Sequence, residues 1–277
     1  MTDLGLIIPE MSLLALACAV LLIDVFRGRA SGGVTFWAAI VTALIVLSQM
    51  ALYFPSGSSI AFYGAVKVDP MGTVLKAFSL VLVMLSFFYA RDYFEKNRVQ
   101  FSEYYILSLF ATIGMLVLIS ANSMLTVYLG LELLSLSLYS MVAMNRDSIE
   151  SSEAAMKYFI LGALASGMLL YGISILYGVS GTLQLDELLT HSDVTGQERV
   201  LMVFGAVFVI VGIAFKLGVV PFHMWLPDVY QGASTPVTLF IGTAPKIAAF
   251  AMAIRLLADG LQGLAAEWAG MLVILCV

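Results

Sequence analysis

Residues 200–228 read VLMVFGAVFVIVGIAFKLGVVPFHMWLPD. From Val200 to Val220 every residue is apolar or glycine except Lys216. A helix needs about 20 such residues to cross the hydrocarbon of a bilayer, and this run has no polar face of the kind that a surface helix of a soluble protein turns to water. It then meets Pro221 and Pro227. Proline removes a backbone donor and clashes with the preceding turn, so the segment predicts a helix interrupted at membrane depth. Irregular backbone is tolerated there only where protein or water lines it. Lys216 stands one turn before the interruption and His223 lies inside it, so the stretch reads as part of a hydrated path. A hydrogen-bonded core role for His223 is the alternative.

The rest of the chain repeats the pattern. Runs of similar length fall at about 4–26, 34–54, 70–90, 104–120, 123–144, 154–178, 200–220, 236–258 and 267–277, which predicts an all-α polytopic membrane protein. The 277 residues are 61% apolar and 11% charged, against roughly 45–50% and about 25% in a soluble domain, so most of the surface must face lipid. A net charge of −5 without a Lys/Arg cluster excludes nucleic acid as a partner, because phosphate binding needs a basic patch. Cys18 and Cys276 lie in apolar runs, and no CxxC, Walker loop or GxGxxG occurs. The chain therefore carries no signature of an iron–sulfur, nucleotide or flavin site.

Asp3 and Glu10 stand where a cleavable signal would be basic, so the first run is expected to stay as a membrane helix. The last run stops at Val277 without a flank, which reads as part of a longer polytopic protein. Ala121-Asn122 turns the fourth span into the fifth, and 179–199 is the longest and most acidic loop, with Asp186, Glu187, Asp193 and Glu198. Arg27, Arg29, Arg91, Lys96, Arg98 and Arg146 collect on one side, against Lys67, Arg199 and Arg255 on the other. The positive-inside rule then places the N-terminus outside.

Most charges mark loops and helix ends; Asp24 and Arg255 are read as end anchors, and Arg255 with Asp259 as an i,i+4 pair. Five resist that reading: Lys76, Glu132, Lys157, Lys216 and Lys246. An ionisable group deep in a span costs roughly 2.5–3.5 kcal/mol or more, so it persists when paired, hydrated or functional. Glu132 is central in the fifth span, where a short carboxylate cannot snorkel, and pairing with a buried lysine is favoured over a neutral carboxyl. Lys246 is equally central in the eighth, beside Pro245, which frees a carbonyl one turn back and allows a bend. Lys157 lies one turn into the sixth span, within reach of the interface or of Glu150 and Glu153. Lys76, near the outer end of the third, reads as structural. Gly162, Ser166, Gly167 and Gly172 read as a small-residue face for close helix packing.

A line of buried lysines with one Glu and one His suits proton transfer better than catalysis on a substrate. Burial weakens an amine's hold on its proton and a neighbouring carboxylate restores it, so moving the carboxylate's charge switches the amine. The sequence leads us to expect a Glu132–Lys216 pair whose opening releases a proton through water and His223 to Lys246. Clustered oxygen ligands for sodium are not evident.

Three stretches, Leu131–Tyr139 (LELLSLSLY), Glu153–Ala163 (EAAMKYFILGA) and Leu170–Thr182 (LYGISILYGVSGT), together with Phe215–Asp228 (FKLGVVPFHMWLPD), Thr235–Val237 and Lys246, resemble the antiporter-like membrane subunits of respiratory complex I from end to end of the chain. The resemblance implies about fourteen helices built from two inverted five-helix repeats with helices seven and twelve broken. The chain would hold helices one to four over 1–121 and, over 122–277, a proton-translocating module of helices five to eight and the start of nine, so that it contains the first repeat and the start of the second. It also implies that Glu132, Lys216 and Lys246 form a half-channel and central relay assisted by His223 and Lys157. NADH, FMN, iron–sulfur clusters and quinone would be bound by other subunits. The partners would be neighbouring membrane subunits of that complex and the lipid bilayer, in a bacterial inner membrane with the N-terminus periplasmic. The family often has Pro where Ser234 stands, and its last key lysine would lie beyond Val277. Two other readings stay open: a subunit of a multi-subunit sodium/proton antiporter, which shares the Lys216–Lys246 stretch, and a solute transporter with its substrate site at the broken helix. A purely structural scaffold is opposed by Glu132 and Lys246.

Overall fold

The computed structural model describes residues 3–27, 32–97, 102–188 and 195–276; Arg29, Arg98 and Asp193 lie outside them. The apolar runs become helices α1 (Ile8–Arg27), α2 (Gly32–Leu52), α3 (Pro70–Asn97), α4 (Ser102–Ser120), α5 (Met124–Val142), α6 (Ile149–Ser180) and α7 (Gln197–Leu217). They are followed by α8 (Trp225–Gly232), α9 (Thr235–Gly242), α10 (Ala244–Ala253), a π-helical turn (Ile254–Gly260) and α11 (Ala265–Cys276). Among the described residues, eight helical segments are long and apolar enough to cross a membrane, in the order read from the sequence.

Helix α4 is the hub, its residues mostly buried because α1, α2, α3, α5 and α10 all pack on it. Its closest neighbour is α5. A Cβ at Gly114 would come within 2.6 Å of the Leu134 backbone nitrogen, and one at Gly130 within 2.9 Å of that of Leu118. With apolar lipid on the outside, close backbone approach is what holds membrane helices together, and these glycines permit it. The small-residue face expected on α6 is realised in part. Gly172 lies against Gly205 and Phe208 of α7, and Gly162 admits the Tyr139 hydroxyl of α5, but Gly167 has nothing near it.

A two-stranded antiparallel hairpin, β1 (Ser59–Ala61) and β2 (Val66–Val68), joins α2 to α3 as a small addition to the all-α bundle. Its turn holds Phe62 and Tyr63 at φ 55° and 53°. An isolated hairpin is marginal in water; here the bundle holds it. Val66 pairs with Ala121, Asn122 Nδ2 donates to Gly64 O at 3.0 Å, and Gln184 Nε2 donates to Tyr63 O at 2.9 Å. Beneath the hairpin lies Arg255, 1% exposed. It donates to both oxygens of Asp69 (2.7 and 2.8 Å), to Asp259 (3.0 Å) and to the Ile119 carbonyl at the end of α4 (3.2 Å). The i,i+4 pair is present, within a larger clamp: Lys67 also reaches Asp259 at 3.1 Å. Although burial alone would raise the Asp69 carboxyl, hydrogen bonds from Arg255 and the Gly72 N–H hold it below its ordinary value. At the opposite end of the bundle Asp24 accepts from Thr35 and Ser102.

Candidate functional site

The site forms where α7 stops. Its last turn closes at Gly218, which adopts φ 79°, a conformation glycine takes without steric cost. The chain stays non-helical until Trp225. The Val220–Pro221 peptide is cis. Pro221 lies inside the break as expected. Pro227 does not break anything: it is the third residue of α8, where the first-turn N–H groups have no intrahelical partner and proline is tolerated.

Helix ends leave carbonyls bare, and at this depth no lipid atom can satisfy them. Each of the last four finds a donor. Ala214 O accepts from the Gly218 and Val219 amides at 2.9 Å. Phe215 O accepts from Trp225 Nε1 at 3.0 Å. Lys216 O and Leu217 O accept from the ammonium of Lys246, at 3.1 and 2.9 Å. Lys246 thus caps α7 from another span, and its positive charge sits at the negative end of the helix dipole. It also lies 5.4 Å from the centre of the Trp225 ring, within cation–π range. That ring stacks on Tyr158 of α6 with centroids 4.6 Å apart and planes 10° from parallel.

Lys246 can reach because its own span is broken. Helix α9 ends at Gly242, Thr243 takes φ −115° and ψ −97°, and α10 restarts with Pro245 in its first turn. The Thr243 hydroxyl donates to Leu239 O at 2.8 Å. The bend anticipated from Pro245 is therefore a full interruption one residue before Ala244.

Lys216 points the other way. It is 6% exposed, and its ammonium donates to the Ser135 hydroxyl of α5 at 2.8 Å; that hydroxyl donates onward to Leu131 O at 2.6 Å. The expected Glu132–Lys216 contact is not formed. Glu132 lies one turn before Ser135 on the same helix, near enough for its charge to act on Lys216, yet its buried Oε1 has no hydrogen-bond partner. Serine occupies the place given to the carboxylate, because a hydroxyl one turn along α5 reaches the amine while accepting backbone restraint. His223 lies in the break with Nδ1 buried and unpartnered.

Lys157 stands apart. It is half-exposed and bonds Glu153 at 2.9 Å and Asp228 of α8 at 3.2 Å, while Glu150 accepts from Ser148 instead. Asp228 carries no local sequence signal of this contact, because its partner lies on another helix. These groups line an open cleft of about 390 Å³ with Gln231. Lys76 is buried and paired with Glu10 of α1, a partner that sequence distance concealed. Of the five candidates, the structure joins Lys216 and Lys246 through the end of α7, sets Glu132 one turn along α5 from the Ser135 that holds Lys216, and leaves Lys157 at the cleft. Among the described residues no cluster of metal-ligating side chains occurs.

Residues 121–277 match the family described as NADH:quinone oxidoreductase/Mrp antiporter, transmembrane. An NADH-quinone oxidoreductase subunit N from Thioalkalivibrio sulfidiphilus is 50% identical over 273 residues, covering 98% of this chain and 57% of that protein. The subunit N of Herminiimonas arsenicoxydans is 49% identical, covering 100% and 58%. The chain thus spans somewhat over half the length of these relatives. Among solved structures, a chain of Thermus thermophilus respiratory complex I superposes with a TM-score of 0.76 at 31% identity, covering 96% of this chain and 57% of its own. A chain of the Mrp complex from Dietzia, at TM-score 0.67 and 22% identity over 94% of this chain and 49% of that one, shares the fold.

Proposed function

This chain belongs to the NADH:quinone oxidoreductase/Mrp antiporter membrane-subunit family, and from that premise we propose that it forms the proton-translocating part of an NADH-quinone oxidoreductase subunit. Electron transfer from NADH to quinone takes place in other subunits of the complex, its partners in a bacterial inner membrane. Residues 122–277 carry the relay, within a fold of inverted five-helix repeats. The N-terminus is periplasmic: Arg27, Arg91, Lys96 and Arg146 gather at the opposite ends of the helices, as the positive-inside rule requires of the cytoplasmic face.

The single observation behind this reading is the coupling of two deep amines through one helix end, Lys216 bonded to Ser135 and Lys246 bonded to the carbonyls of Lys216 and Leu217. Two like charges near each other in a medium of low polarity repel strongly, so a proton held on one amine disfavours a proton on the other. Glu132 biases that balance toward Lys216. When Glu132 swings or is neutralised, Lys216 gives up its proton, which passes through water in the break and His223 to Lys246. Lys157, held between Glu153 and Asp228, feeds the same region from the cleft. The expectation is tested with Lys216→Met in the assembled complex: NADH oxidation continues while pumping uncouples or falls. Fully coupled pumping in that variant overturns the relay.

A further inference from the structure

A second buried acid–base pair lies far from the relay, between α1 and α3. Glu10 and Lys76 are 8% and 5% exposed and form an ion pair. Glu10 Oε1 takes the ammonium; its Oε2 is buried with no hydrogen-bond partner. Both residues line a cavity of about 460 Å³ whose other walls include Pro9, Met50, Tyr53 and Thr73, and whose rim is the 53–59 link between α2 and β1. At about 30 Å³ of liquid volume per molecule, that is room for on the order of ten waters. A buried carboxylate oxygen without a donor is costly, and buried polar groups find a partner in protein or ordered water, which this cavity has room for.

We infer that Glu10 and Lys76 form a second proton-exchange site, open through this cavity to the aqueous phase on the face that carries the N-terminus. A hydronium ion entering the cavity gives its proton to Glu10 Oε2 and leaves as water. The carboxylate becomes a neutral carboxyl while Lys76 keeps its three protons and its charge. The carboxylate sits in the first turn of α1, with the ammonium of Lys76 on its other oxygen. The other ionisable group on the cavity wall is the Tyr53 phenol. From α2, Gln49 approaches, bonded to Ser12; Asp69, at the start of α3, is turned to Arg255; and Asp3 is engaged at the hairpin by the Phe62 amide. Protonation dissolves an ion pair that ties α1 to α3, so outer pH is felt at the seam between these helices.

Infrared difference spectra of the assembled protein in sealed vesicles, recorded while the pH on the N-terminal face is stepped, test this. The expected result is a protonated-carboxyl band that responds to that pH and disappears in the near-isosteric Glu10→Gln variant. A membrane-impermeant thiol reagent applied from the same face labels Thr73→Cys in a chain with Cys18→Ser and Cys276→Ser, which keeps the access claim testable should Glu10→Gln fail to assemble. An unchanged band in Glu10→Gln, or an unlabelled Thr73→Cys, overturns the site. Neither readout involves pumping, so the result stands apart from the fate of the Lys216–Lys246 relay.

Discussion

Replacing Arg255 with methionine removes the clamp that ties the span of Lys246 to the rest of the bundle. The guanidinium is 1% exposed and makes four hydrogen bonds, two to Asp69, one to Asp259 and one to the end of α4. Methionine fills much of the volume but leaves the largely buried Asp69 carboxylate without its guanidinium. Breaking a buried pair from one side costs about 3–5 kcal/mol, because the remaining charge stays desolvated. Unfolding in mixed micelles, followed by tryptophan fluorescence, should register a loss in that range. Adding Asp69→Asn should recover part of it, since the orphaned charge is then gone. The pH dependence carries a sign. The folded-state Asp69 carboxyl is held below its unfolded value of 3.8, so its stabilisation is fully present above that pH and is lost as the pH falls through the lower, folded value. Arg255→Met should lack that acid-side loss. A cost below about 1 kcal/mol, the range of an exposed pair, would refute the assignment of Arg255 as a buried clamp.

Two further outcomes follow from the site and its scaffold. Ser135→Ala removes the acceptor of Lys216, a hydrogen bond to a charged group worth about 1.5–3 kcal/mol, and pumping by the assembled complex should slow about tenfold or more while NADH oxidation persists; an unchanged rate would show that Ser135 does not hold the amine. Gly114→Val drives a side chain into the α5 backbone near Leu134 and should destabilise the α4–α5 pair by about 1–3 kcal/mol, read as a lower melting temperature, whereas Gly167→Val, with open space around it, should leave it unchanged.

The helices were legible because membrane spans announce themselves by length and apolarity, and Lys216 and Lys246 because a charge in such a run has few innocent explanations. Partnerships were not legible. Lys76 and Glu10 are joined across an intervening helix and the hairpin, and Asp69 reaches Arg255 only after the third and eighth spans come together. Depth in sequence also could not tell a carboxylate contact from a hydroxyl contact: Glu132 and Ser135 lie on one face of α5, and a turn's difference in height decided which meets Lys216. Pro227 misled because proline ends a helix or begins one, and the choice depends on where the first turn of α8 falls. The hairpin was hidden because its strands are three residues each and owe their order to Asn122 and Gln184 rather than to their own pattern.

The ammonium of Lys246 has three N–H bonds, and the end of α7 takes two of them, for the carbonyls of Lys216 and Leu217. A neutral amine still has two. The amine can therefore give away its remaining proton and keep both carbonyls fastened, so charging and discharging require no remodelling of the helix terminus. A change of charge at this amine would leave the scaffold in place, because the two bonds that fasten the helix end are not the one that holds the third proton.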